Sequence, residues 1–330
     1  MTVGRTTLGV VSLVLVLVLA LALPAWAQAP TPTLIARIGA TSAAAHAPCI
    51  AAFKDGMREL GLLEGKQYLH EVRYAEGHYE RFPALTEELL RRDPALILVP
   101  TIAAAQAALQ ATRTVAIVFV GVNDPLGTGL VASLARPGGN ATGLSNQSED
   151  LMAKYVELLH QMLPRARRVA LLFNPGNASN PGMLAQARAA ASGLGIATQP
   201  FEARTPDDLG AVLPLITLYR PDALLMIRDA VISAQGNRIA EWARAQRLPT
   251  FAGQSEAVQA GILASYAAPL LEACRRSALY VKRILAGARP ADLPVEQPTR
   301  FELTINLKTA RAIGLTVAPA VLLRADEVIR

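Results

Sequence analysis

The chain has 330 residues, a formal net charge of +6 and two cysteines. Hydrophobic residues make up 52% and charged residues 18%, which excludes a disordered chain, and the 23 glycines follow no period, which excludes a collagen. The basic residues are scattered rather than clustered with aromatic side chains, which argues against nucleic-acid binding. The length suggests two domains of roughly 150 residues each.

The first segment, 1–27, is typical of a secretory signal peptide. Arg5 is the only charged residue before Arg37, a largely apolar stretch follows over 8–23, and Ala25 and Ala27 supply the small residues of a cleavage site. A helix over 8–23 would span about 24 Å, short of the ~30 Å hydrocarbon core, which disfavours the alternative of an uncleaved membrane anchor. No cysteine follows directly, so we expect a periplasmic protein without a lipid anchor that starts near Gln28.

From 34 to 140, short apolar runs alternate with amphipathic segments. In the segment 46–60, for example, Ile50, Phe53 and Met57 recur at spacings of three and four, which places them on one helical face. The pattern predicts strands over 34–39, 68–74, 95–99 and 115–120, and helices over 46–60, 82–92, 102–111 and 126–135.

The same alternation restarts near 168. It predicts strands over 168–173, 196–201, 223–227 and 248–251, and helices over 181–194, 206–219 and 232–246. Continuous apolar strands separated by helices indicate parallel sheets that are covered on both faces. The chain is therefore predicted to be α/β, with two similar Rossmann-like lobes.

Ligands of open parallel sheets bind beyond the carboxyl ends of the strands. The loops at those ends are rich in Ser, Thr, Asn, Gln, Asp and Gly, which suits a small polar or zwitterionic ligand. Their ranges are 39–46, 100–103 and 121–124 in the first half, and 174–180, 228–229 and 253–255 in the second.

Each candidate residue in these loops has a structural alternative. The backbone around Thr41 could hold a ligand carboxylate, or its neighbours could only cap a helix. Asp124 could pair with a ligand amino group or cap the helix expected at 126, and Asp229 could pair with a ligand cation or with Arg228. The candidate ligand-binding residues are Thr41, Ser42, Ala43, Thr101, Asn123, Asp124, Asn146, Asn174, Asn180, Asp229, Gln254, Ser255 and Tyr266.

Motifs of catalysis and of metal or cofactor binding are missing from the sequence. There is no G-x-S-x-G, no phosphate-binding loop and no dinucleotide fingerprint, and the four histidines lack metal-ligand spacing. We therefore expect neither an enzyme nor a bound metal or cofactor. Cys49 and Cys274 could form a disulfide in an oxidising compartment, but their positions in helical patterns favour two separate buried thiols.

Several blocks together resemble one bacterial family. They are AFKDGMRELG at 52–61, EVRYAEG at 71–77, IVFVGVNDPLGTGLVASLARPGGN at 117–140, FELTINLKTA at 301–310 and LRADE at 323–327. In this order they resemble the ABC-transporter substrate-binding proteins of the tryptophan/tyrosine type. The sequence departs from that family at Pro100 and Ala267, where glycines are usual. Branched or aromatic amino acids, aromatic acids and other small carboxylates therefore all remain open as ligands.

The resemblance implies a type I periplasmic binding protein with two lobes and three interlobe crossings. Lobe one would comprise 28–143 plus 264–299, and lobe two 144–263 plus 300–330, with crossings near 142–147, 262–268 and 297–303. Tyr266, at one crossing, could stack on a ligand or only pack at the hinge.

The same resemblance implies a function. A monomer would bind a small solute between its lobes by hinge closure and deliver it to a membrane permease and its ATPase. The alternatives are a periplasmic sensor that signals to a membrane receptor, or a secreted α/β enzyme.

Overall fold

The structure is a computed structural model that describes residues 31–330. The predicted signal peptide, 1–27, lies outside the described residues. Within 31–330, no helix has both the length and the apolar character needed to cross a membrane. The residues from Thr33 to Arg330 contain two separate β-sheets.

The first sheet alternates strands and helices along the chain. Its elements are β1 (Thr33–Gly39), α1 (Ala43–Glu59), β2 (Tyr68–Tyr74), α2 (Phe82–Leu90), β3 (Leu96–Val99), α3 (Ile102–Ala111), β4 (Ala116–Val122) and β5 (Ala141–Ser145). The five strands are all parallel and lie in the order β2-β1-β3-β4-β5. Helical connections between parallel strands are the expected solution, because such strands cannot be joined by a tight turn.

The second sheet has seven strands in the described part of the chain. The elements that follow β5 are α4 (Met152–Met162), β6 (Arg168–Phe173), α5 (Asn180–Gly193), β7 (Ala197–Glu202), α6 (Leu209–Tyr219), β8 (Ala223–Met226), α7 (Ala230–Ala234), α8 (Gly236–Ala245), β9 (Thr250–Ala252), α9 (Glu256–Gln259), β10 (Ala264–Ala267), α10 (Leu270–Leu285), β11 (Glu302–Asn306), α11 (Leu307–Ile313), α12 (Pro319–Leu322) and β12 (Glu327–Ile329). The strand order is β12-β11-β10-β9-β8-β6-β7. Only the β10–β11 pair among these is antiparallel. The α/β prediction with two mostly parallel sheets is confirmed.

The chain passes between the two sheets at three places. It leaves the first sheet after β5. It returns after β10, as shown by α10, which packs on α1 and β4 of the first sheet. The segment around Glu296 pairs with β5, its N–H donating to the Gly143 carbonyl (3.0 Å), before the chain goes back to β11. Since β10 pairs with β9 and β11, the strand 264–267 lies in the second sheet, and the passage after it begins near 268 rather than 264.

The central strands explain the continuous apolar runs in the sequence. Every residue of β3 and β4 is buried. Ile97 and Phe119 face α2 and α3, whereas Leu98 and Val118 face α1 and α10. A strand that is covered on both faces cannot alternate apolar with polar residues, so the run itself signals a parallel, two-sided sheet.

Two predicted helices differ from the structure. The segment 126–135 is not helical, so that prediction is wrong: it forms turns that begin with Gly127 N–H donating to Asp124 Oδ1 (2.7 Å). Gly129, with a φ of +72°, and the nearby Pro137 favour turns over a helix. The predicted helix 232–246 divides into α7 and α8 at Gln235.

The two cysteines are joined, so the expectation of separate thiols is wrong. Cys49 lies in α1 and Cys274 in α10, as the helical patterns indicated, and their Cα atoms are 5.4 Å apart in a disulfide. The helices approach closely because Gly56 has no side chain, and an added Cβ would overlap the backbone of Arg275. Helical position therefore did not separate the thiols, since the two helices pack face to face.

Gly143 in β5 offers a test of strand packing at the first passage. Its φ is +149°, and an added Cβ would overlap the Phe119 carbonyl oxygen in β4. We expect Gly143→Ala to lower the free energy of unfolding by about 3 kcal/mol, measured by urea denaturation. Gly139→Ala is the matched control, because nothing lies within 4 Å of its added Cβ. Equal stability of the two variants would contradict this account.

Candidate functional site

The carboxyl ends of strands from both sheets line one cleft of about 490 Å³. Loops after β1, β3 and β4 line it from the first sheet, and loops after β8 and β9 from the second. This is the edge that the sequence predicted. Of the candidate residues, those lining the cleft are Thr41, Thr101, Asn123, Asp229 and Gln254.

The side chains that cap α1 and α3 already accept hydrogen bonds from the backbone of their own helices. Ser42 Oγ accepts from Ala45 N–H (3.4 Å), and Thr101 Oγ1 accepts from Ala104 N–H (3.2 Å). Thr41 N–H donates to His46 Nε2 (3.2 Å), which requires a neutral imidazole. Burial, with the nearby charge of Arg37, lowers the pKa of His46 to about 4 and keeps it neutral. Ala43 follows the Ser42 cap in the exposed first turn of α1.

Asp229 carries a fully used carboxylate. Its Oδ1 accepts from Asn174 Nδ2 (3.2 Å) and from the N–H groups of Val231 (2.9 Å) and Ile232 (3.4 Å). Its Oδ2 accepts from Asn177 Nδ2 (3.1 Å) and from the Tyr79 hydroxyl (3.0 Å). A carboxylate offers about four acceptor positions, so these donors leave none free.

The pKa of Asp229 is affected in both directions. Burial raises it, and the amide and hydroxyl donors oppose that rise. Asp229 therefore caps α7 and holds neighbouring loops, rather than presenting a free carboxylate to the cleft.

Asparagines fix the remaining loops. Asn180 Nδ2 donates to the Arg228 carbonyl (3.0 Å), and its Oδ1 accepts from Asn174 N–H (3.1 Å). Asn123, after β4, donates from Nδ2 to Ser179 Oγ (2.9 Å), which links the two sheets. The polar side chains of this network are buried, namely Asn123, Asn174, Asn177, Ser179, Asn180 and Asp229, whereas Tyr79 is half-buried. Their hydrogen bonds fix the loops that form the cleft walls.

Eight predicted residues lie outside the cleft lining: Ser42, Ala43, Asn174 and Asn180, described above, and Asp124, Asn146, Ser255 and Tyr266. Asp124 caps the turn at Gly127, and Ser255 starts α9 beside Gln254. Tyr266 in β10 packs on Phe301 with ring centroids 5.8 Å apart. Asn146 lines a second cavity of about 330 Å³, which borders the passages between the sheets and shares Gly121, Arg228 and Leu270 with the cleft.

Two arginines that are not among the predicted residues also line the cleft. Arg37 stands alone in the apolar strand β1, and a lone cation in a buried run was the available signal. Arg228 was noticed only as a partner for Asp229. That pairing does not occur, because the guanidinium donates from Nη1 to the Gly253 carbonyl (3.1 Å), and no acidic oxygen of the described residues lies within 4.0 Å of it.

Arg37 is 1% exposed beneath the first turns of α1. Its Nε contacts His70 Nε2 (3.3 Å), its Nη1 contacts Cys49 Sγ (3.7 Å), and its guanidinium lies over the Phe53 ring at 5.1 Å. Nη2 has no hydrogen-bond partner among the described residues. Burial lowers the pKa of Arg37 to about 10, so the side chain stays charged at neutral pH.

Within 31–330, no group of three or more His, Cys, Asp or Glu side chains is arranged to hold a metal ion. The polar groups of the cleft are backbone amides, hydroxyls, carboxamides, the His46 imidazole, the carboxylates of Asp229 and Glu256, and the two guanidinium groups. Such groups bind and orient a small molecule, and none of them is a paired nucleophile and base.

Comparison with solved structures identifies the fold. A domain protein from Vibrio cholerae superposes with a TM-score of 0.83 at 26% identity, covering 90% of this chain and 99% of that one. An ABC domain from Streptococcus pneumoniae, solved in complex with L-Trp, gives 0.82 at 23% identity, covering 91% and 100%. The fold is that of a two-lobe type I periplasmic binding protein, as the resemblance implied.

Sequence comparison gives the family. A tyrosine-binding protein of Clostridioides difficile is 22% identical over 263 residues, which are 80% of this chain and 75% of that protein. Residues 39–329 match the family described as ABC transporter substrate binding protein. The chain therefore belongs to the ABC transporter substrate-binding proteins, a family of binding proteins and not of enzymes.

Proposed function

We propose that this protein is the periplasmic solute-binding component of an ABC importer, and that it binds an amino acid or another small carboxylate in the cleft. The observation that carries the proposal is the cleft itself, lined by strand-end loops of both sheets. Its volume of about 490 Å³ lies within the usual range of small-molecule sites, ~300–1,000 Å³. The chain would be exported by its signal peptide, act as a monomer, and dock on a permease driven by an ATPase.

Hinge closure is the proposed mode of capture. The lobes would comprise the first sheet with α10 and the second sheet with its helices, and they would move about the three passages. A ligand that touches both lobes favours the closed form, whereas one that touches a single lobe does not. A shift from mostly open to mostly closed requires on the order of 5 kcal/mol of differential binding. Several charge-assisted hydrogen bonds of about 1.5–3 kcal/mol each suffice.

The relatives support the amino-acid class. The Clostridioides difficile relative is a tyrosine-binding protein, and the Streptococcus pneumoniae domain holds L-Trp. Aromatic amino acids are therefore the first ligands to test, followed by branched amino acids and aromatic acids.

The test combines calorimetry with small-angle scattering on the purified mature protein. We expect at least one small amino acid or carboxylate to bind with a measurable heat and to reduce the radius of gyration. No heat and no thermal shift from any solute in the panel would overturn the proposal. Binding with an unchanged radius would overturn hinge closure alone.

Tyr79→Phe tests the contact between the sheets. The hydroxyl of Tyr79, which lies beyond β2, donates to Asp229 beyond β8. We expect this bond to form only in the closed form, so its loss should weaken ligand binding about tenfold, since a hydrogen bond to a charged group contributes about 1.5–3 kcal/mol. Titration calorimetry measures the change.

Tyr280→Phe is the matched control for Tyr79→Phe. Its hydroxyl donates to the Pro294 carbonyl (2.6 Å), on the first-sheet side only. This variant should lose stability and keep its affinity. Equal affinity losses in the two variants would count against closure.

A further inference from the structure

We propose that the ligand of this cleft carries two acidic groups joined by an apolar body, and that Arg228 binds one of them while Arg37 provides the charge for the other. This inference rests on the proposed function and narrows its ligand class to a dicarboxylic acid or another small dianion.

The first reason is that each sheet brings one buried arginine to the cleft. Arg37 of β1 is 1% exposed, and Arg228, directly after β8, is 6% exposed. Neither forms an ion pair with a described residue. Buried guanidinium groups in proteins are normally paired with an anion, because an unpaired buried charge is costly. Two such cations, one from each sheet, indicate two anionic groups in the ligand.

The second reason is the state of the acidic residues beside them. Asp229 is saturated by its own donors, as described above. Glu256 lines the cleft, but it is exposed at the start of α9 and makes no ion pair with Arg228. A zwitterionic amino acid would place its ammonium group in a cleft where, among the described lining residues, this exposed carboxylate is the only unsaturated one. It would also leave one arginine without an anion.

Arg228 is placed for direct contact. Nη1 is held by the Gly253 carbonyl, and the guanidinium makes no other hydrogen bond to a described residue. The side chain borders both the cleft and the neighbouring cavity. A guanidinium with free N–H groups in fixed orientation binds a carboxylate through two parallel hydrogen bonds.

Arg37 acts on the ligand through its charge and not by direct contact, because its side chain is buried beneath the surface of the cleft. Its side chain lies under the first turns of α1, where the helix N-terminus also favours negative charge. The surrounding groups, His70, the Cys49 sulfur and the Phe53 ring, are neutral. An acidic group of the ligand that lies near the first turns of α1 therefore meets a positive field from Arg37 and from the N-terminus of the helix.

The apolar residues that line the cleft indicate what joins the two acidic groups of the ligand. Ala44, Ala45, Pro48, Ile102 and Val122 line the first-sheet side of the cleft. This apolar wall fits an aliphatic or aromatic spacer better than a polyhydroxylated one.

The experiment is titration calorimetry of the mature protein at pH 7.5 and low salt. The probes are aliphatic dicarboxylates from succinate to azelate, the benzene dicarboxylates, the monoamide of each, L-Tyr and L-Trp. We expect at least one dicarboxylate to bind tenfold or more tightly than its monoamide. Arg228→Gln should weaken that binding about 30-fold or more, and Arg228→Lys should keep part of it. Arg276→Gln is the control, because Arg276 is exposed, pairs with Glu296 and lines only the second cavity; it should bind within twofold of the wild type.

Arg37→Met gives a second readout, which does not depend on Arg228. It should weaken dicarboxylate binding and raise the melting temperature of the ligand-free protein, since it removes a buried cation that has no anionic partner among the described residues. A fall in that melting temperature would overturn the assignment of Arg37. Binding of L-Tyr or L-Trp that is tighter than any dicarboxylate and unaffected by Arg228→Gln would overturn the inference and support the proposed function. Binding of no probe or other small solute would overturn the proposed function itself.

Discussion

Replacing both Cys49 and Cys274 by alanine should lower the free energy of unfolding by about 5 kcal/mol. The disulfide joins residues 225 apart in the sequence, in helices that pack on the same side of the first sheet. A cross-link that closes so long a loop removes much of the conformational entropy of the unfolded chain. Of the changes considered for this protein, this one has the largest expected effect on stability.

Urea denaturation followed by circular dichroism measures this effect, in the wild type with and without a reducing agent and in the double variant. The reduced wild type keeps both side chains, so it separates the cross-link from the loss of packing at Cys274, which is fully buried. Both forms should unfold at lower urea than the oxidised wild type, and the reducing agent should not change the variant. Identical midpoints for oxidised and reduced wild type would show that the disulfide contributes nothing.

Acidification from pH 7 to pH 5 should remove about 4 kcal/mol of stability through His46 and His70, about 2 kcal/mol from each. Burial, reinforced by the charge of Arg37, lowers the pKa of His46 to about 4 and that of His70 to about 3. The unfolded chain takes up protons near pH 6.5 while the folded chain does not, so acid favours the unfolded state. The stability is fully present above pH 6.5, falls below it, and for each histidine stops falling once the pH is below its folded-state pKa.

Urea denaturation at pH 7 and at pH 5 tests this with His46→Gln/His70→Gln. The double variant should lose about 4 kcal/mol less than the wild type between the two values. Other titrating groups are common to both proteins, so the difference isolates the two histidines. His78→Gln, at a partly exposed histidine paired with Glu80, is the control and should behave as the wild type. Equal pH dependence in the wild type and the double variant would contradict the burial of neutral imidazoles.

The local sequence determined the alternation of strands and helices. Runs such as 95–99 and 115–120 are apolar throughout because each strand is covered on both faces, and this pattern is visible without a fold. Once the sheets are parallel, the strand ends converge on one edge. That rule was enough to place Thr41, Thr101, Asn123, Asp229 and Gln254 in the cleft.

The sequence did not determine which polar groups are free. Asp229 looked like a ligand carboxylate, but donors from two other segments help to saturate it, and one of these, Tyr79, lies 150 residues away. The expected helix over 126–135 failed for a local reason, since its glycines favour turns. Arg228 sits next to Asp229 in sequence yet points to Gly253 in space.

Only the tertiary structure decided the charge balance of the cleft and the pairing of the cysteines. Burial of Arg37 without an anion depends on α1 and β2 closing over it, and the disulfide depends on α10 returning to pack on α1. The free energy of a buried charge or of a cross-link depends on how far groups that are distant in the chain are removed from water and how closely they approach one another. A sequence pattern reports which face a residue takes, whereas the neighbours on that face are set by the way the sheets and helices assemble.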